Sequence, residues 1–337
     1  MSKRLRLTFA YFCSMLALTV LNILFSTIPN TLSDNSTTIL YTLLSQIVCM
    51  GAIPFAIAFL VKPSAEGATN SERLNSMRKD FYYKRPFNPK VWLVVIPIAI
   101  LFYFFTMLVS RLFFLIIIIS GYTPVAGVGT MYQGPLNLVM WIAVGALLPA
   151  VFEEFTHRGL LIDAISDRGN EVEIILLSGL LFGTMHGNII QFFYAFIGGC
   201  IMAYLVVKTG SIFPAILLHF TNNAMDHLIS YSSQTGGILG TIMDKFYDML
   251  SNPFTLLLAA GILFANAILV FYLLTLVPKI CKREPGIREK SYFGGKIMLD
   301  TYRIDGKPTL KDNMMIYAAF TMCMLQTIFT YIWGSLR

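Results

Sequence analysis

Charge is what this 337-residue chain has least of: Asp, Glu, Lys and Arg together make up 13% of it, against about 25% in ordinary soluble proteins. With 56% hydrophobic residues and a mean hydropathy of +0.69, the chain could not cover a water-facing surface with polar groups. That excludes a soluble globular fold and leaves a membrane protein, with the lipid bilayer as its first partner. Cysteine is scarce too. Five cysteines and no CxxC pair exclude a disulfide framework, a zinc ribbon and a thioredoxin-type redox site. Glycine and proline are at ordinary levels, which excludes collagenous and disordered chains. There is no internal repeat, low-complexity tract or water-soluble domain, so residues 1–337 read as a single transmembrane domain. The net charge of +7 could suggest a nucleic-acid partner, but its distribution encodes topology instead, and no nucleic acid is expected.

What is abundant is the long apolar run. Crossing a hydrocarbon core of ~30 Å takes about 20 helical residues, and nine runs approach or exceed that length: 8–29, 38–61, 91–118, 136–157, 174–187, 189–208, 211–230, 253–277 and 314–334. The expected fold is therefore an all-α, polytopic transmembrane bundle of about nine spanning helices. The third run contains Arg111, and the fifth is short enough to end inside the bilayer. Alternating sides from a cytosolic N-terminus puts 22 of the 25 basic residues on the cytosolic face. This positive-inside bias predicts a cytosolic N-terminus and an external C-terminus.

A charged group at membrane depth is costly, so each marks a functional candidate. The fourth run ends in Glu153-Glu154-Phe155-Thr156-His157-Arg158, where Glu154 and Arg158 stand four apart and can pair on one helix face. Glu153 and His157 share the adjacent face at the same spacing. His186 closes Phe182-Gly183-Thr184-Met185-His186, and His219 begins His219-Phe220-Thr221-Asn222-Asn223. Taken singly, each has a plain reading, as the charged end of a helix or as a hydrogen-bonded packing histidine. Counted from the expected cytosolic helix ends at ~1.5 Å per residue, however, Glu153 and His186 lie about 20 Å deep and His219 about 14 Å. Asn223 follows His219 by one turn. A carboxylate, two imidazoles and an amide within one layer form a possible catalytic set. HExxH, a GxSxG-type serine elbow and a facing aspartate pair are all missing, which disfavours the corresponding protease chemistries.

In order, helix placement and spacing, these three motifs resemble the CAAX-protease and bacteriocin-processing (CPBP, Abi) family of intramembrane endopeptidases, related to the eukaryotic prenyl-protein CAAX endopeptidase. The resemblance covers a catalytic core at 136–230. It implies hydrolysis of a peptide bond in a membrane-associated peptide or protein. Glu153 would activate a water with help from His186, and His219 and Asn223 would form an oxyanion pocket. Glu154 would sit beside the water as a further catalytic group while pairing with Arg158 to orient the helix, and Phe182 would help exclude bulk water. No cofactor is favoured; a divalent metal such as zinc would take Glu153, His186 and His219 as its three protein ligands. The Glu-Glu pair, Arg158-Gly159 and Asn222-Asn223 resemble the bacterial branch, which implies a bacterial plasma membrane. His157, Asp226 and His227 lie outside the resemblance. A non-proteolytic immunity or scaffolding protein of the same fold and a proton-coupled transporter remain as alternatives.

Overall fold

The computed structural model describes residues 3–27, 34–60, 89–123, 130–166, 171–252, 254–281, 290–292, 295–297 and 310–336. The basic loops on which the expected orientation rests, 61–88 and most of 282–309, lie largely outside the described residues, as does Arg168.

Apolar runs in lipid must satisfy every backbone group internally, and here they do so as helices. In chain order these are α1 (Lys3–Thr27), α2 (Ser36–Leu60), α3 (Trp92–Ile119), α4 (Pro135–Ile165), α5 (Glu171–Met185), α6 (Ile189–Thr209), α7 (Phe213–Gln234), α8 (Ile238–Ser251), α9 (Leu256–Ile280) and α10 (Leu310–Ser335). Among the described residues the one departure from an all-α chain is a short antiparallel ladder between α9 and α10, β1 (Lys290–Tyr292) with β2 (Gly295–Ile297).

Among the described residues seven helices, not nine, are long and apolar enough by themselves to cross a membrane. The two expected spans that fall short are α5 and α7. At 15 residues, α5 is only ~22 Å long. α7 has 22 residues, but His219, Asn222, Asn223, Asp226 and His227 dilute its apolar character. Both helices carry site residues, which is why their sequences give up length or hydrophobicity.

The bundle is apolar outside as well as inside. Leu93, Ile119, Leu257 and Ile268 are among its most exposed side chains, whereas Glu153, Glu154, His157, Arg158 and His219 are buried. With lipid as solvent there is no penalty for exposed leucine, and the polar groups withdraw to the centre, where each finds a partner.

Two local devices place the site. The first is the α5–α6 hairpin. Gly179 and Gly183 stand four apart on α5, and a Cβ at Gly183 would fall 2.8 Å from the Phe192 carbonyl oxygen, so only glycine lets the two backbones approach this closely. At the tip, Gly187 takes φ +58°, a left-handed conformation that side chains resist. Asn188 then caps α6 by accepting from the Ile190 N–H at 2.9 Å. The hairpin is closed at its other end by the Lys208–Glu171 ion pair, at 2.5 Å.

The second device is a set of π-helical turns, Leu44–Ala52 in α2 and both Ile142–Leu147 and Phe155–Leu161 in α4. An i→i+5 turn admits an extra residue and rotates the helix beyond it, and such turns gather at functional sites. Two carbonyls of the α2 π segment accept from hydroxyls of neighbouring helices: Cys49 O from Ser14 of α1 at 2.6 Å, and Met50 O from Thr156 of α4 at 2.5 Å. α2 is thereby fastened to the helix that carries the two glutamates.

Candidate active site

Glu153 and Glu154 are adjacent in α4 and face different surroundings. Glu153 borders a cavity of about 560 Å³, and its Oε1 accepts from the Gln46 amide Nε2 at 2.8 Å. Glu154 is fully buried behind the cavity wall. Its Oε1 accepts from Arg158 Nη1 at 2.9 Å and faces His219 Nδ1 at 3.0 Å. The expected Glu154–Arg158 pair is thus present, and it is one side of a triad. Arg158 also donates Nη2 to the Gly199 carbonyl of α6 at 3.0 Å, and its guanidinium lies 4.3 Å from the centroid of the Phe182 ring.

The face-sharing of Glu153 with His157 does not lead to contact. His157 turns away, with Nδ1 3.4 Å from the Tyr11 hydroxyl and Nε2 2.9 Å from the Met185 sulfur. The π turn that begins at Phe155 separates the two faces, and His157 becomes a buried link between α4, α1 and α5.

Phe182 is the centre of the aromatic packing. Its ring meets those of His157, His186 and His219 edge-on, at centroid distances of 5.2, 5.2 and 5.7 Å. These contacts hold both cavity imidazoles in fixed orientations. His186, one turn later, donates Nδ1–H to the Phe182 carbonyl at 2.8 Å, since a carbonyl can only accept. A neutral His186 ring is therefore left with Nε2 as an acceptor. His219, with Nδ1 against the Glu154 carboxylate, likewise has Nε2 free. It becomes a donor there only as the imidazolium.

Glu153, Phe182, His186, His219 and Asn223 all line the one cavity; Glu154 and Arg158 stand behind it. The convergence expected from helix depth is therefore realised by α4, α5 and α7. Asn223 is oriented by its neighbour: Asn222 donates Nδ2 to Asn223 Oδ1 at 3.2 Å, while Asn222 Oδ1 accepts from Thr106 of α3 at 3.0 Å. With its oxygen engaged, Asn223 has its amide N–H groups to offer.

Several lining residues were not expected. Tyr103, Thr106 and Arg111 come from α3 and Tyr194 from α6. Asp226 and His227, outside the three motifs, line the same cavity one turn along α7 from Asn223. His227 Nδ1 is 2.8 Å from the Tyr132 hydroxyl, and its ring stacks on Trp141 at 5.9 Å. Burial, with the nearby Asp226 charge, pushes the Tyr132 phenol up to about 12, so it stays neutral and can donate at physiological pH. The sequence signal for this group is the His219, Asn223, Asp226, His227 progression on one helical face, which extends the motif by a turn.

Among the described residues no three of His, Cys, Asp and Glu are gathered so as to hold one metal ion. Glu153 Oε1 is engaged by Gln46 and His219 Nδ1 by Glu154. Those contacts leave Glu153 Oε2 and the Nε2 atoms of His186 and His219 facing the cavity, and no step of the proposed reaction is routed through a metal.

The fold and site define a multi-pass membrane protein with a buried carboxylate–imidazole centre. Residues 135–225 match the family model described as type II CAAX prenyl endopeptidase Rce1-like, so this segment is similar to CAAX-type intramembrane endopeptidases. The matched range includes Glu153, Glu154, Arg158, Phe182, His186, His219 and Asn223, and stops just short of Asp226 and His227. No curated protein and no solved structure matches the chain.

Proposed function

We propose that the chain is an endopeptidase of glutamate type, cleaving a peptide bond of a membrane-associated peptide or membrane protein with Glu153 as general base. The observation that carries this reading is the lining of one cavity by Glu153, His186, His219 and Asn223, with the Glu154–Arg158 pair held out of it. The two glutamates are differentiated by environment. Glu154 is committed to two cationic or potentially cationic partners, while Glu153 keeps a carboxylate oxygen for proton transfer.

A water between Glu153 and His186 would give its proton to the carboxylate as its oxygen attacks the substrate carbonyl carbon. His186 Nε2, an acceptor, would help orient that water. The oxyanion would take hydrogen bonds from Asn223 Nδ2 and, in its protonated form, from His219 Nε2. Collapse would pass the proton from Glu153 to the leaving amine. A cavity of about 560 Å³ lies within the range of small-ligand pockets and suits a short extended stretch of peptide. The cytosolic N-terminus and external C-terminus, supported by the basic-residue bias, are part of the same proposal, as is a bacterial membrane, which rests on the likeness of Glu153-Glu154, Arg158-Gly159 and Asn222-Asn223 to the bacterial branch.

The test is cleavage of an internally quenched peptide library by the purified chain in lipid nanodiscs, with and without a strong chelator. Glu153→Gln keeps shape and hydrogen bonding but removes basicity, and should lower the rate by about 100-fold or more; chelation should leave the parent rate unchanged. Retention of activity in Glu153→Gln with its loss in Glu154→Gln would exchange the roles of the two glutamates and sink the assignment.

A further inference from the structure

Gln46 lies outside the matched segment, 107 residues from Glu153, on a helix whose sequence carries no recognisable chemical motif. It is buried, and its Nε2 donates to Glu153 Oε1 at 2.8 Å. Its own carbonyl oxygen, Oε1, is buried without a partner. An unsatisfied buried acceptor is unfavourable, and a leucine of similar size would fill the same space without it. The amide thus spends stability, and what it obtains is a single contact with the cavity-facing carboxylate. Its placement is also set by the backbone: Gln46 sits in the π turn Leu44–Ala52, whose Met50 carbonyl is fastened to Thr156 of α4 one turn beyond Glu153.

We propose that Gln46 is a positioning residue for the reaction, holding Glu153 Oε1 so that Oε2 alone is free to take the proton from water. Glu153 is on a helix with π turns on either side, and its carboxylate could otherwise rotate about its last torsion. One fixed N–H bond to one oxygen removes that freedom. The kinetic part of this inference rests on the proteolytic reading; the structural part does not.

The experiment has two arms, both on the full chain in nanodiscs. In the first, thermal melting compares the parent, Gln46→Leu, Glu153→Leu and the double variant. Gln46→Leu should lower the melting temperature by about 2–4 °C, because it strands the carboxylate. The double variant should melt at or above the parent, since removing both partners of a buried polar pair removes the unpaired groups as well. Strict additivity of the two single changes would overturn the inference, whatever the activity. In the second arm, Gln46→Leu should lower kcat on the quenched peptide by about tenfold with KM unchanged, as expected when an interaction matters only in the transition state. Coupled melting with an unchanged kcat would make Gln46 a purely structural residue and also overturn it. If the parent cleaves no probe at all, the proteolytic reading fails, and the holding of Glu153 by Gln46 is decided by the melting arm alone.

Discussion

Arg158 offers the sharpest test of how the site is held together. Its guanidinium has no exposure, its partner Glu154 has none, and the two meet at 2.9 Å. Replacing Arg158 with Ala removes the ion pair, the Gly199 carbonyl contact and the stacking on Phe182 in one step. Glu154 is then left with His219 alone. Breaking a buried pair from one side typically costs about 3–5 kcal/mol, a large part of the ~5–15 kcal/mol that holds a typical domain folded, so Arg158→Ala should accumulate poorly and melt well below the parent. The converse substitution separates charge from packing. Replacing both partners with apolar residues, Glu154→Leu with Arg158→Met, removes the desolvation cost together with the attraction, and such exchanges are often neutral or stabilising. The double variant should therefore recover most of the folded yield. It should not recover cleavage, because His219 has lost the carboxylate that orients it. Size-exclusion profiles and melting curves of the three proteins, followed by peptide cleavage, check this directly. An Arg158→Ala protein that melts with the parent would refute the account of the pair, and a double variant with full activity would refute the role given to Glu154.

Other outcomes rest on single contacts. Asn222→Ala frees the Asn223 oxygen and should lower the cleavage rate without altering substrate binding, measurable as a fall in kcat at constant KM; an unchanged kcat would show that the Thr106–Asn222–Asn223 chain does not orient the amide. Gly183→Val drives a branched side chain into the Phe192 carbonyl and should destabilise the α5–α6 hairpin by at least the ~1–3 kcal/mol of ordinary overpacking, read as a lowered melting temperature. A cysteine placed at Lys245 on α8 should react with a membrane-impermeant maleimide from outside intact cells, and labelling only after permeabilisation would invert the proposed topology.

Much of this architecture is written in the local sequence. Composition alone required a membrane bundle, because a chain with so few charges has no other solvent to fold in. The Glu154–Arg158 pair comes from a spacing of four within one helix, geometry that survives even with a π turn beginning between them. The shared depth of Glu153, His186, His219 and Asn223 comes from counting residues along three helices, and the shortness of α5 is visible in its run. The contacts decided by tertiary packing are those between residues far apart in the chain. No periodicity announces that Gln46 will meet Glu153, that Thr106 will support Asn222, or that His157 will turn from Glu153 toward Tyr11 and Met185. Two of the nine expected spans, α5 and α7, are too short or too polar to qualify as crossing helices by length and composition, and they pack against neighbouring helices that only the assembled bundle provides. Helix geometry is local and repeats every few residues, so the sequence could carry it. Which face of one helix meets which face of another depends on close backbone approach at glycines and on rotation at π turns, and that choice was made only when the helices packed.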